Sequence, residues 1–189
     1  MDSKKRILTA SQQLFSQFGL KKVTTDDIAK KAGVSKATIY KFYKNKEEIL
    51  NKVVKLESDH LVREIHHAVG NESTVINKLR AYLLTKNQII HGLVNLYKVT
   101  RVSDDSYWPY IHDAQDRYIL KEKAIVGKIL ADGNESGEID VAQVDLCAHI
   151  LVIAFRTLEF PWALKGYDIL LTDHIEELLN IVMNGLAKK

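Results

Sequence analysis

Two short helical runs on either side of a single glycine constrain this chain more than any other feature of its sequence. Thr24 and Thr25 offer N-cap hydroxyls to the first run, and Asp26 and Asp27 fall in its first turn, where the helix dipole favours acidic side chains. Its apolar positions, Ile28, Ala29 and Ala32, lead into Gly33, the residue type that best tolerates the left-handed backbone of a tight turn. Val34 follows, and then Ser35, which can cap a second run from Lys36 to about Tyr43. Two such helices joined by a three- or four-residue turn form a helix-turn-helix unit. The packing requirements are met: Ala29 is small where the helices cross closely, and Ile28, Val34 and Ile39 fill the wedge between them.

The flanking sequence extends the pattern. Ile7, Leu14 and Phe18, with Ala10 and Ser11 between them, share one helical face, and Gly19 supplies a stop, so a helix is expected over residues 3–18. The helix after Gly33 is expected to expose Lys36, Thr38, Tyr40, Lys41, Tyr43 and Lys44, the cations, hydroxyl and phenols that a recognition helix needs at base edges and phosphates. Asn45 and Glu48 then have the spacing of a capping box, opening a helix that reads on to about Val69, before Gly70. Such a helix is about 35 Å long, a rigid strut. Lys46, in its first turn, opposes the helix dipole and is therefore expected to face something anionic.

Charge agrees with this picture once it is divided. The whole chain of 189 residues carries a formal +3, but residues 1–55 hold 13 Lys/Arg against five Asp/Glu, a net of +8, and the remainder holds 14 against 19, a net of −5. Asymmetry of this kind marks segments that bind nucleic acid or anionic membranes. One cysteine, Cys147, rules out an intramolecular disulfide and suits a reducing compartment. The longest apolar stretch is far short of the roughly 20 residues that span a bilayer, and no signal peptide is visible. The expectation is a soluble cytoplasmic protein with no membrane partner.

The run Ile7-Leu8-Thr9-Ala10, Leu14-Phe15 and Phe18-Gly19, followed by the unbroken stretch from Thr24 to Glu47, resembles the DNA-binding domain of the tetracycline-repressor (TetR) family of bacterial transcriptional regulators. The likeness covers the first third of the chain. By position, Thr25, Tyr40, Tyr43 and Lys46 resemble the family's phosphate contacts, and Lys36, Ala37 and Thr38 resemble positions that face bases; Ser35, Lys41 and Lys44 complete the expected DNA-binding set. Asp26 stands where some members place a base-reading Arg, and Phe42-Tyr43 replaces the commoner aromatic pair ending in Phe. Phe42 reads as a core anchor, and Lys41 and Lys44 read equally well as solvated.

The acidic remainder is expected to be a series of helices, with a polar link at residues 103–107. Ile76, Leu79, Leu83 and Ile90 trace one helix, and a shorter piece follows around residues 93–102. A further helix starts at Pro109, continues through Ile111, Ala114, Tyr118, Ile125 and Ile129, and is expected to stop in Asp132-Gly133-Asn134-Glu135-Ser136-Gly137. Residues 141–160 are apolar nearly all round, and residues 169–187 have a wide apolar face. These last two helices are expected to form a four-helix interface in a homodimer, as the resemblance also implies. The resemblance further implies a small-molecule effector in this part of the chain. Tyr82, Tyr97, Arg101, Tyr107, Trp108, Tyr118, Arg156 and Trp162 are the candidate linings, although core or dimer packing explains each aromatic at least as well. A buried Arg101 or Arg156 without a carboxylate would favour an anionic ligand.

His60, Glu64 and His67 share a face of the strut helix at metal-ligand spacing, but a solvated face explains them better and no Cys cluster supports zinc. Cys147 reads as an inert buried thiol. No metal or cofactor is expected. The sequence therefore points to an all-α protein: a helix-turn-helix DNA-binding domain in residues 1–48 (motif 24–43), a linking helix 46–69, and an effector-binding and dimerisation domain in residues 70–189. The function it implies is a repressor that binds a palindromic operator as a homodimer and is released by an effector. A constitutive DNA-binding dimer without effector is one alternative. A helical enzyme with a DNA-binding head is another, against which stands the lack of Gly-x-Ser-x-Gly, phosphate-loop and His-Glu-x-x-His motifs.

Overall fold

A computed structural model of the chain describes residues 2–90, 92, 93, 95, 108–156 and 171–186, the backbone alone at 108–115 and 186. Among these, eight α-helices carry the regular structure: α1 Ser3–Phe18, α2 Thr25–Ala32, α3 Lys36–Phe42, α4 Lys46–Gly70, α5 Val75–Ile90, α6 Trp108–Ser136, α7 Val144–Arg156 and α8 Leu171–Leu186. The chain divides into two compact units, Met1–His60 with Ile90–Asp116, and Leu61–Ile89 with Arg117–Lys189.

In the first unit α1 packs on both α2 and α3. A helix with two neighbours buries a wide arc, here Ile7, Ala10, Ser11, Leu14 and Phe15. Phe18, expected on the buried face, is instead half exposed. It is the last residue of α1, and Phe15, one turn earlier, occupies the core in its place. Below this layer lie Ile28, Ala29, Ala32, Ile39, Ile49 and Val53, all buried. At the start of α4 the Glu48 N–H donates to Asn45 Oδ1 (2.8 Å), while the Glu48 carboxylate accepts from the Lys44 N–H (2.8 Å), one residue earlier than a standard capping box. Asn95 is buried in the same unit and donates to the Gln12 carbonyl (3.1 Å) and to Glu57 Oε1 (2.8 Å), which also accepts from Gln12 Nε2 (2.9 Å).

In the second unit Leu79, Tyr82, Val126, Leu130, Val152, Phe155, Ile175 and Leu179 are buried. The Glu138 carboxylate accepts the Val75 N–H at 2.8 and 3.0 Å, closing the N-terminus of α5. Arg80 binds Glu176 through Nε (2.6 Å) and Nη2 (2.8 Å), joining α5 to α8.

One helix boundary falls where the sequence places it, and one differs from expectation. The helix containing Tyr118 stops within the expected stretch 132–137, its last residue being Ser136. Gly133 lies in the last turn of this helix, and its reason is close approach: a methyl there would overlap Val75 Cγ2 and sit 3.0 Å from Ile139. Asn134, which looks like a loop residue, brackets Val141 instead, donating to its carbonyl (2.8 Å) and accepting its N–H (2.9 Å). That bracket leaves residues 141–143 outside helix, so α7 begins at Val144. In the single chain Leu146, Ile150 and Ile153 of α7 are about half exposed. Residues 157–160, 169, 170 and 187 of the two expected C-terminal helices lie outside the described residues.

Candidate nucleic-acid interface

The first turn of α2 is fixed by a reciprocal cap. The Asp27 N–H donates to Thr24 Oγ1 (3.2 Å), the Thr24 N–H donates to Asp27 Oδ2 (2.9 Å), and the Thr24 hydroxyl donates to the same oxygen (2.6 Å). These bonds to the ionised form hold Asp27 below the usual carboxylate range, the Thr24 hydroxyl contributing most. At the other end Gly33 has φ 62°, and its N–H and that of Val34 close the helix on Lys30 and Ala29. Arg6, from α1, donates twice to the Ala32 carbonyl (Nε 2.8 Å, Nη2 2.6 Å) and also to that of Gly33.

The first turn of α3 is fixed in the same way. Ser35 Oγ accepts the Thr38 N–H (3.1 Å), and the two hydroxyls are 2.8 Å apart. With both first turns held, α3 presents Lys36, Ala37, Tyr40 and Lys41 to solvent, followed by Lys44; Ser35 is exposed, and Thr25 and Thr38 are half-buried. Lys36 Nζ lies 3.0 Å from Asp26 Oδ2, and this hydrogen bond pushes the ammonium pKa up.

Two of the expected DNA-binding residues are placed differently. Tyr43, expected to be exposed by α3, is buried at 2% exposure, and its hydroxyl makes no hydrogen bond among the described residues. Burial, and then the nearby carboxylates of Glu48 and Asp2, push its pKa up. The physical reason lies at the end of α3: Tyr43 is already extended (φ −141°, ψ 133°), which turns its ring inward and leaves Phe42 half-buried in the role of the pair's outer member. Lys46 is half-buried, its ammonium donating to the Leu20 carbonyl (2.9 Å) and the Val23 carbonyl (3.3 Å). What it faces is a pair of backbone oxygens in the α1–α2 loop.

Of the candidate effector linings, Tyr82 and Tyr118 are buried in the second unit, while Arg156 ends α7 half-buried. Tyr97, Arg101, Tyr107 and Trp162, with the side chain of Trp108, lie outside the described residues. Among the described residues of this unit the buried cation is Lys86, at 1% exposure, and it is ion-paired with Glu122. Tyr82 donates its hydroxyl to Glu122 Oε1 (2.6 Å), and the Lys86 ammonium stands 5.6 Å from the Tyr82 ring centre and 5.7 Å from that of Tyr118. Glu122 Oε2 is buried and accepts no hydrogen bond among the described residues. Sequence reasoning missed both Lys86 and Glu122. The signal was there, in one charge of each sign set within an apolar stripe: Leu79, Tyr82, Leu83, Lys86 and Ile90 in α5, and Tyr118, Glu122, Ile125 and Ile129 in α6. Cys147 is half-buried, and burial pushes its thiol up, away from reactivity. His60, Glu64 and His67 are exposed.

Residues 7–53 match the family model of bacterial regulatory proteins, tetR family. The uncharacterized HTH-type transcriptional regulator YhgD of Bacillus subtilis (strain 168) is 29% identical across 99% of this chain and 98% of its own length. The fatty acid metabolism regulator protein of the same organism is 24% identical across 97% of this chain and 95% of its own. The crystal structure of a transcriptional regulator FadR from Bacillus subtilis in complex with stearoyl-CoA shares the fold, with a TM-score of 0.74 and 22% identity over 96% of this chain and 98% of that one.

Proposed function

Because the chain belongs to the tetR family of bacterial regulatory proteins, we propose that it is a transcriptional repressor, a homodimer that binds a palindromic operator and is released by a small-molecule effector. Residues 1–48 read DNA, and residues 70–189 dimerise and sense. The observation that carries this reading is the exposed face of α3, with Lys36, Tyr40 and Lys41 available and Lys44 just beyond, in a 55-residue segment of net charge +8. Thr25 and Thr38 supply hydroxyls beside it, and Ala37 leaves room for a base edge. Tyr43 and Lys46 act by holding the head together.

Dimerisation through α7 and α8 is supported by Leu146, Ile150 and Ile153, which fall at i, i+4 and i+7 and leave an apolar ridge half exposed, with Ile181 of α8 exposed at 62%. Two copies then offer recognition helices to half-sites about one helical turn, roughly 34–36 Å, apart. For the effector, long-chain acyl-CoA is the first class we assign, on the strength of the stearoyl-CoA complex and the fatty acid metabolism regulator among the matched proteins. An effector shifts DNA affinity only by the difference in its own affinity for the two states.

The test is fluorescence anisotropy with a duplex selected by the protein from a random pool, titrated between 50 and 200 mM salt. Tight binding that weakens by about 10³-fold or more over that range is expected for a protein making several phosphate contacts. Stearoyl-CoA is then expected to release the duplex, and stearoylcholine, a cation of equal chain length, is not. Absence of salt-dependent, sequence-selective binding overturns the repressor reading; release by neither amphiphile overturns the effector class alone.

A further inference from the structure

Asp26 and Lys36 sit in the first turns of two different helices, α2 and α3, with Oδ2 and Nζ 3.0 Å apart and side chains 70% and 49% exposed. A carboxylate on the same face as Lys36, Tyr40 and Lys41 is repelled by every phosphate that approaches it. Sequence-independent attraction to DNA would be better served by almost any other side chain at this position. The α2 dipole favours an acid in this turn, but the cap is made by Asp27, so the Asp26 carboxylate is left for a role that phosphates do not supply.

We propose that Asp26 and Lys36 together read one G·C base pair in the major groove of each half-site, the ammonium on guanine O6 and N7 and the carboxylate on the cytosine N4 amino group. This rests on the reading of the chain as a DNA-binding protein. In a G·C pair, O6 and the N4 amino group are hydrogen-bonded to each other and therefore lie about 2.9 Å apart. The protein presents a donor and an acceptor at nearly the same separation, so the couplet and the base-pair edge match in spacing and are opposite in polarity. An A·T pair also sets an amino group beside a carbonyl. Guanine alone adds N7 next to O6, giving the ammonium two acceptors on one base.

The couplet is pre-positioned. The Thr24–Asp27 cap fixes the turn that carries Asp26, and the Ser35–Thr38 cap fixes the turn that carries Lys36. Each side chain also holds the other while both stay solvent-exposed, and an exposed ion pair yields readily to a better-matched partner. Ala37, exposed beside Lys36, puts no bulk in the way.

In vitro selection from a random duplex pool tests this with the full-length wild type, Asp26→Asn and Lys36→Met. Both variants change exposed side chains, and thermal midpoints check that they are folded. The wild type is expected to select a palindrome with one near-invariant G·C pair in each half-site. Each variant is expected to relax that same position, losing about 5- to 150-fold discrimination there and leaving the other positions intact. The inference is overturned if Asp26→Asn strengthens binding to all sequences equally with an unchanged consensus, if the two variants relax different positions, or if the shared position is A·T. A wild type that selects no sequence at all overturns the DNA-reading function and this inference with it.

Discussion

Arg6 and Gly33 define each other's position. The guanidinium of Arg6, reaching from α1, donates to the carbonyls of Ala32 and Gly33, and its Nη2 lies 2.9 Å from where a Cβ on residue 33 would be. The turn between α2 and α3 therefore needs glycine twice, for its left-handed φ of 62° and for the space that Arg6 occupies.

Gly33→Ala is expected to destabilise the protein by about 1–2 kcal/mol from the left-handed backbone alone, and further if Arg6 is displaced. Arg6→Gln is expected to weaken binding to the selected duplex while leaving the slope of log affinity against log salt unchanged, because Arg6 holds a turn and does not neutralise a phosphate. A slope reduced by about one would show a direct phosphate contact instead.

Lys46→Met removes the donor shared by the Leu20 and Val23 carbonyls. Unfolding in urea is expected to show a loss of about 1 kcal/mol, since the acceptors left unmet are only partly buried. The salt slope of DNA binding again distinguishes the roles: unchanged for a brace, flatter for a phosphate contact.

Breaking the Lys86–Glu122 pair from one side removes the opposite charge from beside a buried one. Glu122→Leu or Lys86→Met is each expected to cost about 3–5 kcal/mol in chemical denaturation, whereas the double variant recovers most of that loss. Additive losses in the double variant would mean that the two side chains are not energetically coupled.

Hydrogen bonds from Arg80 hold Glu176 below the usual carboxylate range. A carboxylate whose folded pKa is depressed contributes stability that is complete above its unfolded value, about 4.3, and is lost as pH falls through the folded value. Thermal midpoints of the wild type and Glu176→Gln are therefore expected to differ at pH 6, to begin to approach each other below the unfolded value, and to converge only once pH has fallen through the folded one. The difference is small, since both groups are partly solvated. A constant gap across this range would assign the effect to something other than the ion pair.

Ile150 is 55% exposed at the centre of the α7 ridge. Ile150→Arg is expected to give a folded monomer by light scattering, with DNA binding weakened because one head alone meets one half-site. A variant that remains dimeric would place the interface elsewhere.

What the sequence determined by itself is local. Caps, stops and periodicity act over three or four residues, so α1, the Thr24 and Ser35 caps, the Gly33 turn and the start of α4 were all legible. So was the charge asymmetry of residues 1–55, which needs no coordinates to be counted. Tertiary structure alone decided which groups are spent on partners distant in sequence. Lys46 faces the carbonyls of Leu20 and Val23, 26 and 23 residues earlier, and Glu122 meets Tyr82 across 40 residues. Asn134 and Gly133 carry the composition of a loop, yet they lie in a helix because Val141, Val75 and Ile139 arrive from elsewhere to satisfy the one and press on the other. Burial follows the same division. Periodicity gives the apolar face of a helix, but whether Phe18 or Phe15, Phe42 or Tyr43, fills the core depends on which neighbours close over it, and a single helix carries no record of that.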